Sequence, residues 1–282
     1  MAKKIKFAVI GSPISHSRSP EIHLEFASQA RLDIEFNKVE LSKSNLDDWV
    51  HSFFLEGGKG LSVTLPFKED CLGLADEVSQ RVNKTKAINV LYNKKGKIFA
   101  DCTDGVGLVK DLVENKKQKI EEKSILLIGA GGAARGVLPS LLEEAPKSIV
   151  VANRTIEKAK KIVEEFGSEA FQTSKSSNLI ASGLSFENMK DFEFDIVINA
   201  TSISTDPSQN LNLDESIFRN TSLALDLYYS QAFTPFMDLA DRAKVPIIID
   251  GWGMLVEQAA ESFFLWTGFR PDTSKLIEGH GE

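Results

Sequence analysis

Hydrophobic and polar residues recur along this chain with two periods, and these periods predict strands and helices in regular succession. Short apolar runs such as Ile125–Ile128 and Ser148–Ala152 indicate buried strands. Stretches with apolar residues three and four positions apart, such as Ile156–Phe166, indicate amphipathic helices between the strands. Strands that alternate with helices are typical of doubly wound α/β sheets, and we expect one such unit before about Gly105 and one after it.

Two segments depart from this alternation. Residues 87–92 and 97–100 are apolar runs on either side of the turn-rich stretch Asn93–Gly96, and they predict a β-hairpin. Residues 173–191 are rich in serine and asparagine, and the pattern assigns no element to them.

A glycine-rich turn joins the strand at Ile125–Ile128 to a helix that we expect to begin near Ala133. Strand, glycine turn and helix together form the context in which a G-x-G-x-x-G/A match indicates dinucleotide binding. Gly129 permits the tight turn, Gly131 lets the backbone approach a pyrophosphate, and Ala134 allows close packing of helix on strand. The free N–H groups of the helix N-terminus favour a phosphate at the same place.

The end of the next predicted strand distinguishes the two nicotinamide cofactors. NAD sites usually place Asp or Glu there, about 20 residues past the glycines, to hold the ribose 2′-hydroxyl. This chain has Asn153, Arg154 and Thr155 instead, with Lys158 one helical turn later. A guanidinium suits a 2′-phosphate in charge and in geometry, so the pattern predicts NADP(H). The alternative is an ordinary βαβ unit with a surface arginine.

Composition narrows the class of protein. The length of 282 residues suits one large domain or two smaller ones. A net charge of −7 argues against a surface for nucleic acid or an anionic membrane, and no apolar run approaches the ~20 residues of a membrane span. The two cysteines indicate no disulfide framework, and the four histidines lack the spacing of metal ligands. We therefore expect a cytoplasmic protein without a metal site.

Two further segments combine turn residues with candidate chemistry. A run of hydroxyl and turn residues follows the first predicted strand, and we expect a helix to begin near Pro20 with Ser19 as its N-cap. Plain capping by serine is the alternative, but Ser17 and Ser19 together favour a site for a carboxylate or phosphate. Lys68 follows another short strand, where it is either a cleft residue at the start of a helix or a solvated surface lysine.

A series of motifs occurs in a fixed order along nearly the whole chain. They are GSPISHSRSP at 11–20, VTLPFK at 63–68, AIN at 87–89, DCTDG at 101–105, GAGGAAR at 129–135, NRT at 153–155, NATS at 199–202 and GWGMLVEQA at 251–259. In this order they resemble the motifs of the shikimate dehydrogenase family. The glycine turn alone would indicate only a dinucleotide, whereas the serine run, the 63–68 motif and the 251–259 motif are specific.

The resemblance implies a two-domain α/β fold with a cleft between the domains. An N-terminal substrate domain with a mostly parallel sheet would stand beside a Rossmann-type NADP-binding domain. In this chain the substrate-binding and catalytic domain would cover residues 1–104, completed by C-terminal helices within 251–282. The NADP-binding domain would cover residues 105–250. We expect a monomer or a homodimer.

The resemblance also implies an NADP-dependent oxidoreductase of aromatic amino-acid (chorismate) biosynthesis, which reversibly reduces the small molecule 3-dehydroshikimate to shikimate with NADPH. One alternative is a quinate/shikimate dehydrogenase of broader specificity. Arg154, and the absence of Asp or Glu at the end of the same strand, argue against an NAD-dependent enzyme of that type. Another is a non-catalytic NADP-binding regulator. Such a regulator should have lost Lys68 or Asp104, and this chain retains both.

The same resemblance implies a role for individual residues. Lys68 and Asp104 match the catalytic pair, in which the lysine stabilises and protonates the carbonyl oxygen. Positions that match substrate contacts are Ser17, Ser19, Thr64, Asn89, Tyr229 and Gln258, with the two serines and Tyr229 near the carboxylate. Positions assigned to the cofactor are Gly129, Ala130, Gly131, Gly132, Ala133, Asn153, Arg154, Thr155, Lys158, Thr201, Gly251 and Met254. The alternatives are an N-cap of the next helix for Asp104 and a core aromatic for Tyr229.

Overall fold

A computed structural model describes residues 4–167, 178–205, 213–230 and 232–280 of the chain. The chain divides into two compact units. The first contains Met1–Gly107 together with Val256–His280, and the second contains Leu108–Leu255. Within the described ranges, no helix is both long and apolar enough to cross a membrane.

The first unit is built on a mixed six-stranded sheet. Its strands are β1 (Ile5–Gly11), β2 (Ile34–Glu40), β3 (Gly60–Val63), β4 (Glu77–Val78), β5 (Val90–Lys94) and β6 (Lys97–Asp101). The order across the sheet is β2-β1-β3-β5-β6-β4. The pairings β1–β2, β1–β3 and β4–β6 are parallel, whereas β3–β5 and β5–β6 are antiparallel. The expectation of a mostly parallel sheet is confirmed, but the β5–β6 hairpin makes this unit mixed rather than doubly wound.

Helices cover the sheet of the first unit and supply much of its core. They are α1 (Ser19–Ala30), α2 (Leu46–Leu55), α3 (Gln80–Thr85) and the start of α4 (Asp104–Lys110). The apolar face of α2 presents Leu46, Val50 and Phe54, which pack in one core with Leu61 of β3 and Leu91 of β5. These three residues of α2 are four positions apart, so they lie on one face of the helix.

The second unit is a parallel sheet with helices between its strands. Its elements are β7 (Ser124–Ile128), α5 (Gly132–Glu143), β8 (Ser148–Asn153), α6 (Ile156–Phe166), β9 (Asn178–Gly183), α7 (Phe186–Met189), β10 (Ile196–Asn199), β11 (Leu223–Asp226), α8 (Pro235–Arg242), β12 (Ile247–Ile249) and the start of α9 (Trp252–Thr267). The rest of α9 and the helix α10 (Ser274–Glu278) belong to the first unit.

The strand order of the second sheet is β12-β11-β10-β7-β8-β9, and every pairing is parallel. This is the order of two mononucleotide-binding halves that meet at β7 and β10, so the Rossmann-type fold is confirmed. β9 and α7 lie in the serine-rich region to which the sequence pattern assigned no element. Part of that region, residues 173–177, lies outside the described residues.

Candidate active site

The segments that follow β1 and β3 are tied together at one edge of the first sheet. The two strands are parallel neighbours, so both chains leave the sheet on the same side. The Ser12 N–H donates to the Leu65 carbonyl at 2.9 Å, and the Thr64 N–H donates to the Ile10 carbonyl at 3.0 Å. A Cβ at Gly11 would lie 2.6 Å from Cγ2 of Thr64, so only glycine allows this approach. The serine run and the Thr64–Lys68 motif therefore meet in space.

The serine run places two hydroxyls side by side. Ser17 and Ser19 are both buried, and the Ser17 hydroxyl donates to Oγ of Ser19 at 3.2 Å. The expectation that Ser19 caps a helix is wrong, because α1 begins at Ser19 itself and no side chain caps it from Arg18. The Ser17 hydroxyl accepts the Ser19 N–H at 3.3 Å, so it satisfies one free N–H of the helix, whereas the Ser19 hydroxyl caps no helix.

Lys68 and Asp104 form an ion pair in the first unit. Nζ of Lys68 donates to Oδ2 of Asp104 at 2.5 Å, and the two side chains are only 12% and 5% exposed. Lys68 lies in a turn between β3 and a 3₁₀ helix, Asp70–Leu74, so the helix expected after this strand is a short 3₁₀ helix that begins two residues after Lys68. The alternative of a solvated surface lysine is also wrong. Asp104 is the first residue of α4, and its carboxylate contacts neighbouring side chains rather than capping a helix at Val106.

A buried hydrogen-bond network holds the second oxygen of Asp104. The Nδ2 group of Asn89 donates to Oδ1 of Asp104 at 3.0 Å and to Oε1 of Gln258 at 2.8 Å. The Asn89 oxygen accepts the backbone N–H of Thr103 at 2.8 Å, and the Thr103 hydroxyl lies 3.1 Å from that of Ser262. Asn89, Asp104 and Gln258 are thus brought together with Lys68. Sequence reasoning missed Thr103 and Ser262.

Cys102 contacts the carboxylate of this pair. Its thiol donates to Oδ2 of Asp104 at 3.9 Å, and burial raises the pKa of the thiol to about 12. Cys102 is therefore a protonated donor to the carboxylate at neutral pH rather than a nucleophile.

The glycine turn of the second unit has one position fixed by packing and one that faces open space. Gly129 has a φ of +115°, and a Cβ there would lie 3.0 Å from the Ala200 carbonyl group. Gly131 is the N-cap of α5, and a Cβ there would meet nothing within 4 Å. Packing thus explains the first glycine but not the second, and the open side of Gly131 fits the approach of a phosphate. Ala130, Gly132 and Ala133 can offer such a group only their backbone.

The end of β8 presents cations to solvent. Arg154, Thr155 and Lys158 are exposed, and neither of the two cations forms an ion pair with any residue that the structure describes. The Asn153 amide donates to the Thr155 carbonyl at 2.9 Å and fixes the turn into α6. The donor set fits a 2′-phosphate, since cations are available and the residues 153–155 include no acid.

Four predicted site residues follow later strands of the second sheet. The Thr201 hydroxyl donates to Oδ1 of Asn199 at 2.7 Å. The half-buried Tyr229 ring stacks on Tyr228 and meets Trp252 edge to face, so it is no core aromatic. A Cβ at Gly251 would lie 2.2 Å from the Leu227 carbonyl oxygen, and Met254 packs in the core of this unit. Packing accounts for both of these residues, and their contact with a nicotinamide stays a prediction.

Comparison with known proteins identifies the family of this chain. The family model described as the shikimate dehydrogenase substrate binding domain matches residues 9–91. The model described as shikimate / quinate 5-dehydrogenase matches residues 111–227, and the shikimate 5'-dehydrogenase C-terminal domain matches residues 251–278. The chain is 42% identical over 271 residues to shikimate dehydrogenase (NADP(+)) of Chromobacterium violaceum, which covers 96% of each protein.

Comparison with solved structures points to the same family. Shikimate 5-dehydrogenase from Thermus thermophilus, in complex with NADP(H) and shikimate, has a TM-score of 0.82 at 29% identity over 97% of each chain. An Ael1 enzyme from Pseudomonas putida has a TM-score of 0.85 at 37% identity over 99% of each chain. On sequence and fold together, the chain belongs to the shikimate dehydrogenase family.

Proposed function

We propose that this protein catalyses the reversible, NADPH-dependent reduction of 3-dehydroshikimate to shikimate in aromatic amino-acid biosynthesis. The observation that carries the proposal is the ion pair between Lys68 and Asp104 within the Asn89–Gln258 network. Curated relatives support it, because those about 40% identical over nearly the full chain are named shikimate dehydrogenase (NADP(+)). Their names favour shikimate and NADP over a broader quinate enzyme.

The chemistry needs a cation where negative charge develops. NADPH, when bound, supplies the hydride that reduces the carbonyl carbon. Lys68 stabilises the charge that grows on the carbonyl oxygen and donates a proton to it. An ammonium has three N–H donors, and Lys68 gives one to Asp104, so two remain for the substrate oxygen. Asp104, held by Asn89 on its other oxygen, fixes the direction of the lysine.

The remaining site residues divide between the two units. In the first unit, Ser17 and Ser19 bind the shikimate carboxylate, while Thr64, Asn89 and Gln258 bind the ring hydroxyls. In the second unit, the glycine turn binds the pyrophosphate, Arg154 and Lys158 bind the 2′-phosphate, and Tyr229 contributes to the carboxylate site. The open side of Gly131 supports the cofactor part, as does Arg154, which has no ion-pair partner among the described residues. The paired buried serines support the substrate part.

Replacement of Lys68 by alanine tests the proposal. Lys68→Ala removes an interaction that strengthens only as charge develops, so kcat should fall by about 10²- to 10⁴-fold with a smaller change in KM. NADPH binding should persist, because the glycine turn and Arg154 belong to the second unit. Steady-state kinetics with a cofactor titration measures both quantities.

The matched control is Lys59→Ala, which removes an exposed lysine of the same unit and should leave kcat unchanged. A Lys68→Ala enzyme whose kcat stays within about threefold of the parent would exclude Lys68 as the proton donor. Asp104 would then become the leading candidate.

A further inference from the structure

Asp226, at the end of β11, is a carboxylate enclosed by hydrogen-bond donors in the second unit. Its Oδ2 accepts from the hydroxyls of Ser204 at 2.6 Å and Thr234 at 2.7 Å. Its Oδ1 accepts from Nδ2 of Asn199 and from the Tyr228 N–H, each at 3.1 Å. Burial raises the pKa of this carboxyl, and the hydrogen bonds from Ser204 and Thr234 oppose the rise. The site residues assigned so far do not include Asp226.

The carboxylate determines how the neighbouring amide is oriented. An ionised carboxylate accepts hydrogen bonds only, so the NH₂ group of Asn199 must face Asp226. Nδ2 also donates to the Ser204 hydroxyl at 3.1 Å. The amide oxygen then faces the other way and accepts from Thr201, at 2.7 Å from the hydroxyl and 3.2 Å from the backbone N–H. With the amide turned round, both Thr201 donors would face an NH₂ group.

Thr201, at the far end of this chain of contacts, lies against the glycine turn. Asn199 pairs with Ile128 in the parallel β10–β7 register, and the Ala200 N–H donates to the Ile128 carbonyl at 2.7 Å. A Cβ at Gly129 would lie 3.3 Å from Cγ2 of Thr201. In an open α/β sheet, ligands bind outside the carboxyl ends of the strands where the strand order reverses, and β7 and β10 flank that point.

We propose that Asp226 is a positioning residue for the cofactor, which acts through Asn199 to hold Thr201 beside the glycine turn. Asp226 and Asn199 are fully buried, so both act through Thr201 and neither needs to contact the cofactor. A group held by a fixed second layer of hydrogen bonds binds its ligand without first being ordered. The inference rests on the proposed function, since it assigns the ligand of Thr201 as NADP(H).

Exchanging the amide and the carboxylate between residues 199 and 226 tests whether Asp226 acts on Thr201 through Asn199. Asn199→Asp keeps the shape of the side chain but sets one carboxylate against another, so the amide donor to Asp226 is lost. NADPH should bind about tenfold more weakly, measured as the Kd from cofactor fluorescence. The double variant Asn199→Asp/Asp226→Asn again sets an amide against a carboxylate, with the roles exchanged, but the Tyr228 N–H then loses its acceptor at residue 226. It should therefore recover part of the affinity for NADPH that Asn199→Asp alone loses.

Thr234→Val is the matched control, because it removes a hydrogen bond to the other oxygen of Asp226 together with the cap of α8. It should lower the melting temperature while leaving the Kd for NADPH within about twofold. A purely structural role for Asp226 predicts the opposite pattern: Asn199→Asp lowers the melting temperature but not the affinity, and the swap restores nothing. That pattern would overturn the inference.

Thr201→Val keeps the inference testable if Asn199→Asp does not fold. It removes only the Thr201 hydroxyl, and we expect about tenfold weaker NADPH binding. An unchanged Kd would overturn the inference. A parent protein that binds no NADPH would instead refute the proposed function, whereas a parent that binds and variants that do not differ would refute this inference alone.

Discussion

At the scale of one side chain, we propose that Arg154 determines the choice of cofactor. It is exposed at the end of β8, where an NAD site would carry an acid. Arg154→Ala should weaken NADP binding by about ten- to a hundredfold and leave NAD almost unaffected, because a hydrogen bond to a charged group is worth roughly 1.5–3 kcal/mol. KM values for both cofactors measure the effect. Lys160→Ala, an exposed cation on α6, is the control, and an equal loss for NADP and NAD would contradict the assignment.

His23 is a titratable group that the first unit buries among aromatic rings. Its imidazole stacks on Phe36 at 4.6 Å and on Trp266 at 4.8 Å between ring centroids. Neither ring nitrogen has a hydrogen-bond partner in the part of the chain that the structure describes. Burial therefore lowers the pKa of His23 from 6.5 to about 3, and the folded protein holds the ring neutral.

The buried His23 makes stability depend on pH. Between pH 6.5 and about 3 the unfolded chain binds a proton at this position that the folded protein does not. The free energy of unfolding should therefore fall by about 1.4 kcal/mol per pH unit on acidification across this range. His23→Leu should remove that part of the slope in urea unfolding measured at several pH values. His51→Gln, at an exposed histidine, should keep it, and equal slopes for parent and His23→Leu would contradict the account.

The residues assigned to catalysis and binding could be predicted from the sequence, whereas most of their hydrogen-bond partners could not. Lys68, Asp104 and Asn89 stand in recognisable motifs, and the structure brings them into one network. Thr103 stands in the motif at 101–105 and Asp226 outside every motif, but the contacts of both depend on which segments become neighbours in the fold. Gly251 shows the reverse case, since a glycine assigned to the cofactor is already required by the Leu227 carbonyl.

At the scale of elements, we propose that the segment from the end of β1 to the first residue of α1 recognises the substrate carboxylate. Ser17→Ala and Ser19→Ala should each raise the KM for shikimate by about ten- to a hundredfold, because each removes a hydrogen bond to a charged group. The KM for NADP should not change. Ser15→Ala is the control, since Ser15 is exposed in the same segment. A serine variant that lost NADP binding and kept its KM for shikimate would place the segment in the cofactor site.

Local patterns predicted single elements better than the pairing of strands. The hairpin was expected across Asn93–Gly96, and the strands pair as far as Lys94 and Lys97. Its turn is tight because Lys95 and Gly96 both have positive φ, as a two-residue hairpin loop requires. That β5 pairs antiparallel with β3 was not predictable, because strand periodicity is the same in both directions. β9 was not predicted because its apolar residues, Leu179–Ala181, form only a short run within a stretch rich in serine and asparagine.

At the scale of the whole molecule, the chain forms two units that are not consecutive in sequence. The C-terminal segment Val256–His280 belongs to the first unit, where Gln258 bonds to Asn89 and Trp266 packs on Phe7. The second unit has its own core on both faces of a parallel sheet. We therefore propose that the assigned substrate residues other than Tyr229 belong to the first unit, and that cofactor recognition belongs to the second.

The central claim is most directly tested by initial rates with shikimate or quinate, each combined with NADP or NAD. The account predicts that shikimate with NADP gives the highest kcat/KM. Replacement of NADP by NAD should lower kcat/KM by about ten- to a hundredfold, in line with loss of the 2′-phosphate contacts. The account would be contradicted if the enzyme reduced NADP without shikimate. It would also be contradicted if kcat/KM were the same for quinate as for shikimate, or the same with NAD as with NADP.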